Sequence, residues 1–564
     1  MMIAVLGMMV AGRLASLLVY QMTWRNGAAD GPCRTCAMVS LLARPQWWPL
    51  HLAMVWPVAG MSWDGLPGMR VFSAAAAILL ALGAIGRLSC DGRGRFFMVD
   101  RTLSLVLALC VPFSPSFLYP ALVAACCLQY TVASWPLGPG YSNLLGHEFM
   151  RGSLCAASAA LAIAGWTGTH DEPAMLAAVI AWQASTYVDH ALAKCALGPK
   201  WHSWMMGNRP QCLILNAWLR GWKACGDRDR ILSLAGFIAR WRVALCAAAW
   251  GIEISWGLVL ADSRVACAAV VATLVFHTCV LWLTGLLAWH YVANHLVLLA
   301  LILSGRLGGV FTVDHWLASL AGMALTAAWV GTVRSRLLAS HRHRRGPRRW
   351  GLLADPADHL MAWWDTPLMR MFSFRVTTLS GRVLDLPVTK LSPHDTSLTD
   401  LHTHLMILGL HPTLDPAATA DRDLAPTGVW GLAIDRETRD FLYQAMDGGR
   451  PLPDRWLAAD TQPWRYGGGD PDHMAAQPLH AMFQTMNCLI GKRWHRLMMR
   501  RPHFPGEDLV PDICPLVKPA LPEFRFDEPI AQVTLWRVRT FFDGHTLRLV
   551  SNQQVGEINL RDPE

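Results

Sequence analysis

The chain has 564 residues, of which 53% are hydrophobic and only 16% charged, which excludes a disordered or highly charged soluble protein and indicates a membrane one. The net charge of +9 sits largely in loops between apolar runs, so membrane topology explains it better than a polyanionic partner, and no nucleic acid is expected. Most of the 15 cysteines lie inside apolar runs, where they act as small packing residues rather than as a disulfide scaffold.

The first run, Met2 to Gln21, carries Arg13 in its middle and no basic n-region, so it reads as a retained helix rather than a signal peptide. The loop after it holds Cys33 and Cys36 as a CxxC pair. Such a pair can exchange dithiols or bind metal, but a single one outside a thioredoxin-like context reads more simply as a plain loop. Apolar runs then recur at roughly 2–22, 50–66, 69–86, 102–118, 119–135, 149–166, 174–197, 243–261, 265–286, 289–304 and 314–333, giving about eight to eleven spans.

Basic clusters follow the first, third, seventh and last of these runs. If every run crosses, all of the clusters fall on one side, which places the N-terminus outside and the C-terminal part in the cytoplasm of a bacterial inner membrane. Asp227 to Arg242 is amphipathic, with Ile231, Leu234, Ile238 and Trp241 on one face, and is expected to lie along the interface ahead of the next span.

The run from Ala174 contains the most informative pattern. Gln183, Tyr187, His190 and Lys194 fall at i, i+4, i+7 and i+11, one polar stripe on a single helical face. An ionisable group inside a span is a functional-site hypothesis by default, because it must face a bundle interior or a cavity. The alternative is that Lys194 sits near the helix end and extends its amine to the headgroups. Glu253, mid-span, needs a partner, and Lys194 or a histidine would serve. Glu148 with His147, His277, His290 and His295 are further intramembrane polar groups, each open to a purely structural reading as an interhelical hydrogen bond.

Tyr187, Lys194 seven residues later, and then a polar turn and Trp201-x-x-Trp204 resemble the horizontally transferred transmembrane (HTTM) family, which includes the vitamin K-dependent γ-carboxylases. The run Ala74 to Gly86 closed by Arg87, and Phe276-His277 followed by Leu283-Thr284-Gly285-Leu286, look similar too. The resemblance covers residues 1–335 and implies an all-α polytopic fold there. It implies that Lys194 is a base acting on a vitamin K-type quinol, whose oxygenation drives carboxylation of glutamate in a peptide. His190 and Tyr187 would assist, and Gln183, Glu253 and His277 would line the cofactor site. Physically, an amine held in an apolar site can be neutral and accept a proton near neutral pH. The competing function is a non-catalytic membrane partner in the maturation or export of a peptide or toxin.

Residues 336–374 read as a basic juxtamembrane linker with an interfacial helix from Ala357 to Phe374, and 375–564 as a soluble α+β domain. Helices are expected at Thr396 to Leu410 and Leu479 to Arg496. The terminal strands Ile530 to Phe542 and His545 to Asn559, joined by Asp543-Gly544, form a β-hairpin. Asp400-Leu401-His402-Thr403-His404 mimics a metal-hydrolase motif, but in a helix side chains at i and i+2 diverge, so no metal site is assigned.

Overall fold

The computed structural model describes residues 61–85, 143–195, 199–219, 226–284, 289–324, 364–381 (366 apart), 383–386, 425–426, 433–434, 436–448 and 530–559, with a few single positions. The runs expected at 2–22, 50–66, 102–118 and 119–135 lie wholly or mostly outside these. So do the CxxC pair, the Asp400–His404 motif, the helices expected at Thr396 to Leu410 and Leu479 to Arg496, and the boundary expected near residue 335. The chain is helix-rich and divides into two compact units, neither of which is a single stretch of sequence.

The first unit comprises Met1–Ala196, Ala248–Thr278 and Ala288–Asp358. Its bundle is formed by α1 (Pro67–Ile85), α2 (Asn143–Thr167), α3 (Glu172–Cys195) and α8 (Trp289–Leu303). Alanine dominates the contacts: Ala156, Ala160 and Ala164 of α2 and Ala177, Ala181 and Ala184 of α3 are fully or almost fully buried. Such small side chains let helix backbones approach closely, and dispersion then holds them. Pro67 opens α1 at a position where no N–H is needed, and the Glu172 carboxylate accepts the Met69 N–H at 2.9 Å, pinning the start of α3 to the start of α1.

Two described helices are long and apolar enough to cross a membrane: α6 (Arg228–Ser255) with its 3-10 continuation to Leu258, and α7 (Ser263–Thr284). Only 22% of the apolar window of each is buried inside the protein, so most of their apolar side chains face outward. The outward set includes Trp241 and Leu245 of α6 and Val271, Val275 and Trp282 of α7.

The second unit comprises Leu197–Ala247, Cys279–Leu287 and His359–Glu564. In it α4 (Ser203–Gly207), α5 (Pro210–Leu219) and the first part of α6 meet α9 (Arg436–Asp447) and a four-stranded antiparallel sheet. The sheet order is β2-β1-β5-β6, with β1 Leu368–Thr378, β2 Val383–Leu386, β5 Ile530–Phe542 and β6 Leu547–Asn559. A separate pair joins β3 (Ala425–Pro426) to β4 (Ala433–Ile434). The core gathers Cys212, Leu215, Ile231, Ile238, Leu442, Met446 and Phe541.

Two expectations are corrected here. The segment Asp227 to Arg242 is not a separate interfacial helix, because α6 runs unbroken from Arg228 to Ser255. Its apolar face is divided: Ile231 and Ile238 are buried in this protein core, whereas Trp241 is exposed. Residues 368–374, expected to be the end of a surface helix, are strand. Leu368–Thr378 pairs with β5 along its whole length, and Pro367 just before it lacks the N–H that a continuing helix would use.

The C-terminal hairpin forms on the expected strands, with the second beginning at Leu547 rather than His545. Asp543 Oδ1 accepts the His545 and Thr546 N–H groups at 3.0 and 2.7 Å, which makes 543–546 the turn. Gly544 has φ +92°, and a Cβ there would stand 2.7 Å from the Met446 carbonyl oxygen, so only glycine fits.

A polar clamp completes this unit. The Asn208 side chain exchanges two hydrogen bonds with Asp365, donating to its carboxylate at 2.9 Å and accepting its N–H at 2.8 Å. Tyr443 donates to the Asp365 carbonyl at 2.6 Å. The Arg209 guanidinium bonds the Asp447 carboxylate at 2.6 Å and lies 4.5 Å from the Tyr443 ring centroid.

Candidate functional site: a buried acid–base cage

The polar stripe of α3 points into the first unit. Gln183, Tyr187, His190 and Lys194 are all buried. The Lys194 ammonium forms an ion pair with the Glu253 carboxylate near the end of α6, and each side chain is only 8% exposed. Glu253 Oε2, itself buried, has no hydrogen-bond partner among the described residues. Trp250, one turn before Glu253, donates its indole N–H to the Ala191 carbonyl and to Cys195 Sγ, both at 3.2 Å. That bond sets α6 against the turn of α3 that carries Lys194.

Two turns back along α3, Tyr187 is enclosed by rings. Trp256 stacks on it with centroids 4.7 Å apart and planes at 15°. His295 and Tyr291 of α8 meet it edge-on at 5.5 and 6.1 Å. The Tyr187 hydroxyl and His277 Nε2 are 3.1 Å apart, within hydrogen-bond reach. The cage is braced from behind. Trp256 donates to Thr273 Oγ1 at 2.9 Å, and His295 Nδ1 bonds the Tyr291 carbonyl. Since a carbonyl only accepts, that Nδ1 carries the proton.

The residues named from sequence therefore divide. Tyr187, His190, Lys194, Glu253 and His277 belong to one cage, and His295 joins them. Gln183 stands one turn further back, with its amide donating to Ser153 Oγ of α2 at 3.1 Å and its Oε1 without a hydrogen-bond partner among the described residues. Trp201 is exposed. The side chains of His147, Glu148 and His290 lie outside the described set. Among the described residues no group of three or more His, Cys, Asp or Glu could hold a metal.

Sequence reasoning missed Trp250, Trp256 and Tyr291. Tyr291 and His295 are spaced i, i+4 on one helix, a signal that could have been read. The two tryptophans were hidden by the abundance of that residue, present 27 times in the chain.

These features define a helix-rich protein with a buried acid–base cage, built by helices of which two have membrane-crossing length. Comparison with known protein families, curated proteins and solved structures finds no match for the chain.

Proposed function

We propose that the chain is a polytopic inner-membrane protein with its C-terminal part in the cytoplasm, and that Lys194 is the proton-accepting residue of a membrane-embedded enzyme. The observation that carries this reading is the Lys194–Glu253 pair, buried among apolar helices. Arg242 and Asp262 flank the apolar part of α6 and its continuation. The stretch between them, 243–261, at ~1.5 Å per residue gives about 28 Å, close to a hydrocarbon core of ~30 Å. Glu253 lies about 16 Å from Arg242 on that scale, well inside the slab. A charge pair retained at such depth needs a reason beyond packing.

The chemistry follows from the pair. Passing the ammonium proton from Nζ to the adjacent carboxylate leaves a free amine, and a free amine is a base. The amine is buried, so it is not levelled by solvent.

The reaction is proposed to be that of the γ-carboxylases, on glutamate in a peptide. The cage suits a vitamin K-type quinol in its donor set. Glu253 Oε2 and His277 would hold a ring hydroxyl, with Gln183 one turn beyond the rings. When bound, the quinol supplies the reducing electrons for oxygenation. The test is quinol-dependent incorporation of labelled carbon dioxide into a glutamate-rich peptide by protein reconstituted in bilayers. The wild type should incorporate label, and Lys194→Ala and Lys194→Arg should not.

A second reading is favoured by the same pair taken as glue between helices: a non-catalytic partner in maturation or export of a peptide. It predicts that peptide maturation persists in Lys194→Ala.

A further inference from the structure

Two arginines of α6 differ from the paired arginines of the second unit. Arg209 and Arg548 each meet an aspartate. Arg242 is half-buried, and its Nε, shielded from solvent, has no hydrogen-bond partner among the described residues. Arg240, two positions earlier, is exposed and joins no ion pair among the described residues. Between Asp229 and Glu253 the sequence of α6 holds no acidic residue that could reach either. A guanidinium partly withdrawn from water without a counter-anion is costly, so the pair calls for an anion from outside the chain. The surroundings indicate which one. Arg242 is the last charge before the apolar stretch 243–261, which places both guanidiniums where that stretch leaves the hydrocarbon. Phe237, Trp241 and Leu245 follow at i, i+4 and i+8 and are all exposed, so one outward stripe passes from rings beside the arginines to an aliphatic side chain beyond them. The opposite face of α6 is taken, since Ile231 and Ile238 lie in the protein core. Trp282 of α7 is exposed at the same end, because its neighbour Leu283 packs against that core.

We propose that Arg240 and Arg242 bind the phosphate of an anionic phospholipid, with its acyl chains along the stripe of Trp241 and Leu245. A guanidinium donates two parallel N–H bonds to phosphate oxygens, which a solvated lysine does not match. Phosphatidylcholine carries a quaternary ammonium beside its phosphate, and two arginines repel it. Phosphatidylglycerol carries no such cation and is the preferred lipid. An acidic peptide would answer the charges but leave the apolar stripe uncovered. The proposal rests on reading α6 as a membrane span, and on nothing about Lys194.

Native mass spectrometry of the full-length protein, released from micelles doped equally with phosphatidylglycerol and phosphatidylcholine, counts the retained lipids of each kind. The wild type should retain phosphatidylglycerol in clear preference. Arg240→Gln with Arg242→Gln should lower that preference about tenfold. Arg242→Lys, which keeps the charge but not the fork, should fall between the two. Arg264→Gln, which removes the same charge at the start of α7, should leave it unchanged. Phosphatidylglycerol should also raise the unfolding temperature of the wild type in micelles and leave that of the double variant unmoved. Equal retention of the two lipids by the wild type, or an equal loss in Arg264→Gln, overturns the site and spares the span. Displacement of the lipid by inorganic phosphate or by a glutamate-rich peptide overturns the choice of occupant. Recovery of the chain in solution without detergent overturns the span, and the site with it.

Discussion

The Lys194–Glu253 pair makes a quantitative prediction about stability. Glu253→Leu leaves an ammonium in a site where its side chain is 8% exposed, with the carboxylate partner gone. Removing one member of a buried pair costs about 3–5 kcal/mol, because the remaining charge is left without compensation. Lys194→Met alone should fall in the same range, leaving the carboxylate stranded. The double variant Lys194→Met, Glu253→Leu replaces the pair by apolar groups of similar size, and such replacements are neutral or stabilising. The coupling energy in the cycle should therefore reach about 3 kcal/mol or more, far above the ~0.5 kcal/mol scatter of independent sites. Unfolding in mixed micelles by denaturant, followed by tryptophan fluorescence, measures all four corners. Single variants within ~1 kcal/mol of wild type, with additive effects, would show that the amine is hydrated rather than buried and would refute the reasoning.

The other predictions concern both units. Tyr187→Phe keeps the stack on Trp256 and loses the His277 bond, so it should cost about 0.5–1.5 kcal/mol in the same assay, whereas Tyr187→Ala should cost about 3–5 kcal/mol. Gly544→Ala should destabilise the C-terminal hairpin by more than ~1 kcal/mol, detected as faster proteolysis of residues 530–559, because it meets both a left-handed backbone and the Met446 carbonyl. Burial tends to raise the Asp543 carboxyl, but the N–H groups of Thr546 and His545, the Thr546 hydroxyl and Arg548 outweigh it and hold it below its ordinary 3.8. Its folded value lies below its unfolded one, so its stabilisation is complete above the unfolded value and lost as pH falls through the folded one. Hairpin protection against hydrogen exchange should weaken below pH 3.8, and Asp543→Asn should flatten that dependence. Burial, with Asp365 nearby, pushes the Cys212 thiol well up, so it should resist maleimide until the second unit unfolds.

What the sequence disclosed follows its periodicity. Gln183, Tyr187, His190 and Lys194 could be put on one face because a helix fixes side-chain direction every 3.6 residues, and the structure buries all four. Glu253 stood out because a carboxylate in an apolar run needs a partner. The expected partner was Lys194 or a histidine; that it is Lys194, 59 residues away, depends on which helices pack, and periodicity does not carry that choice. The face of Ile231 and Ile238 failed for a related reason: an apolar stripe reads the same whether it meets lipid or protein, and here it meets Leu442 and Phe541 in one core. Residues 368–374 were misread because their aromatic and methionine content was joined to the run before Pro367, although the β-branched Val376, Thr377 and Thr378 that follow favour strand. Asp543-Gly544 was legible because a hairpin turn demands a residue with φ above zero.

The central claim is that the Lys194 amine is shut off from bulk water by the helices around it. Paramagnetic broadening of its 15N-labelled amine in lipid nanodiscs tests this directly, using a water-soluble gadolinium chelate as the probe. The account predicts that the Lys194 signal survives at probe concentrations that erase exposed Lys200. Equal broadening of the two would place the amine in water and contradict it.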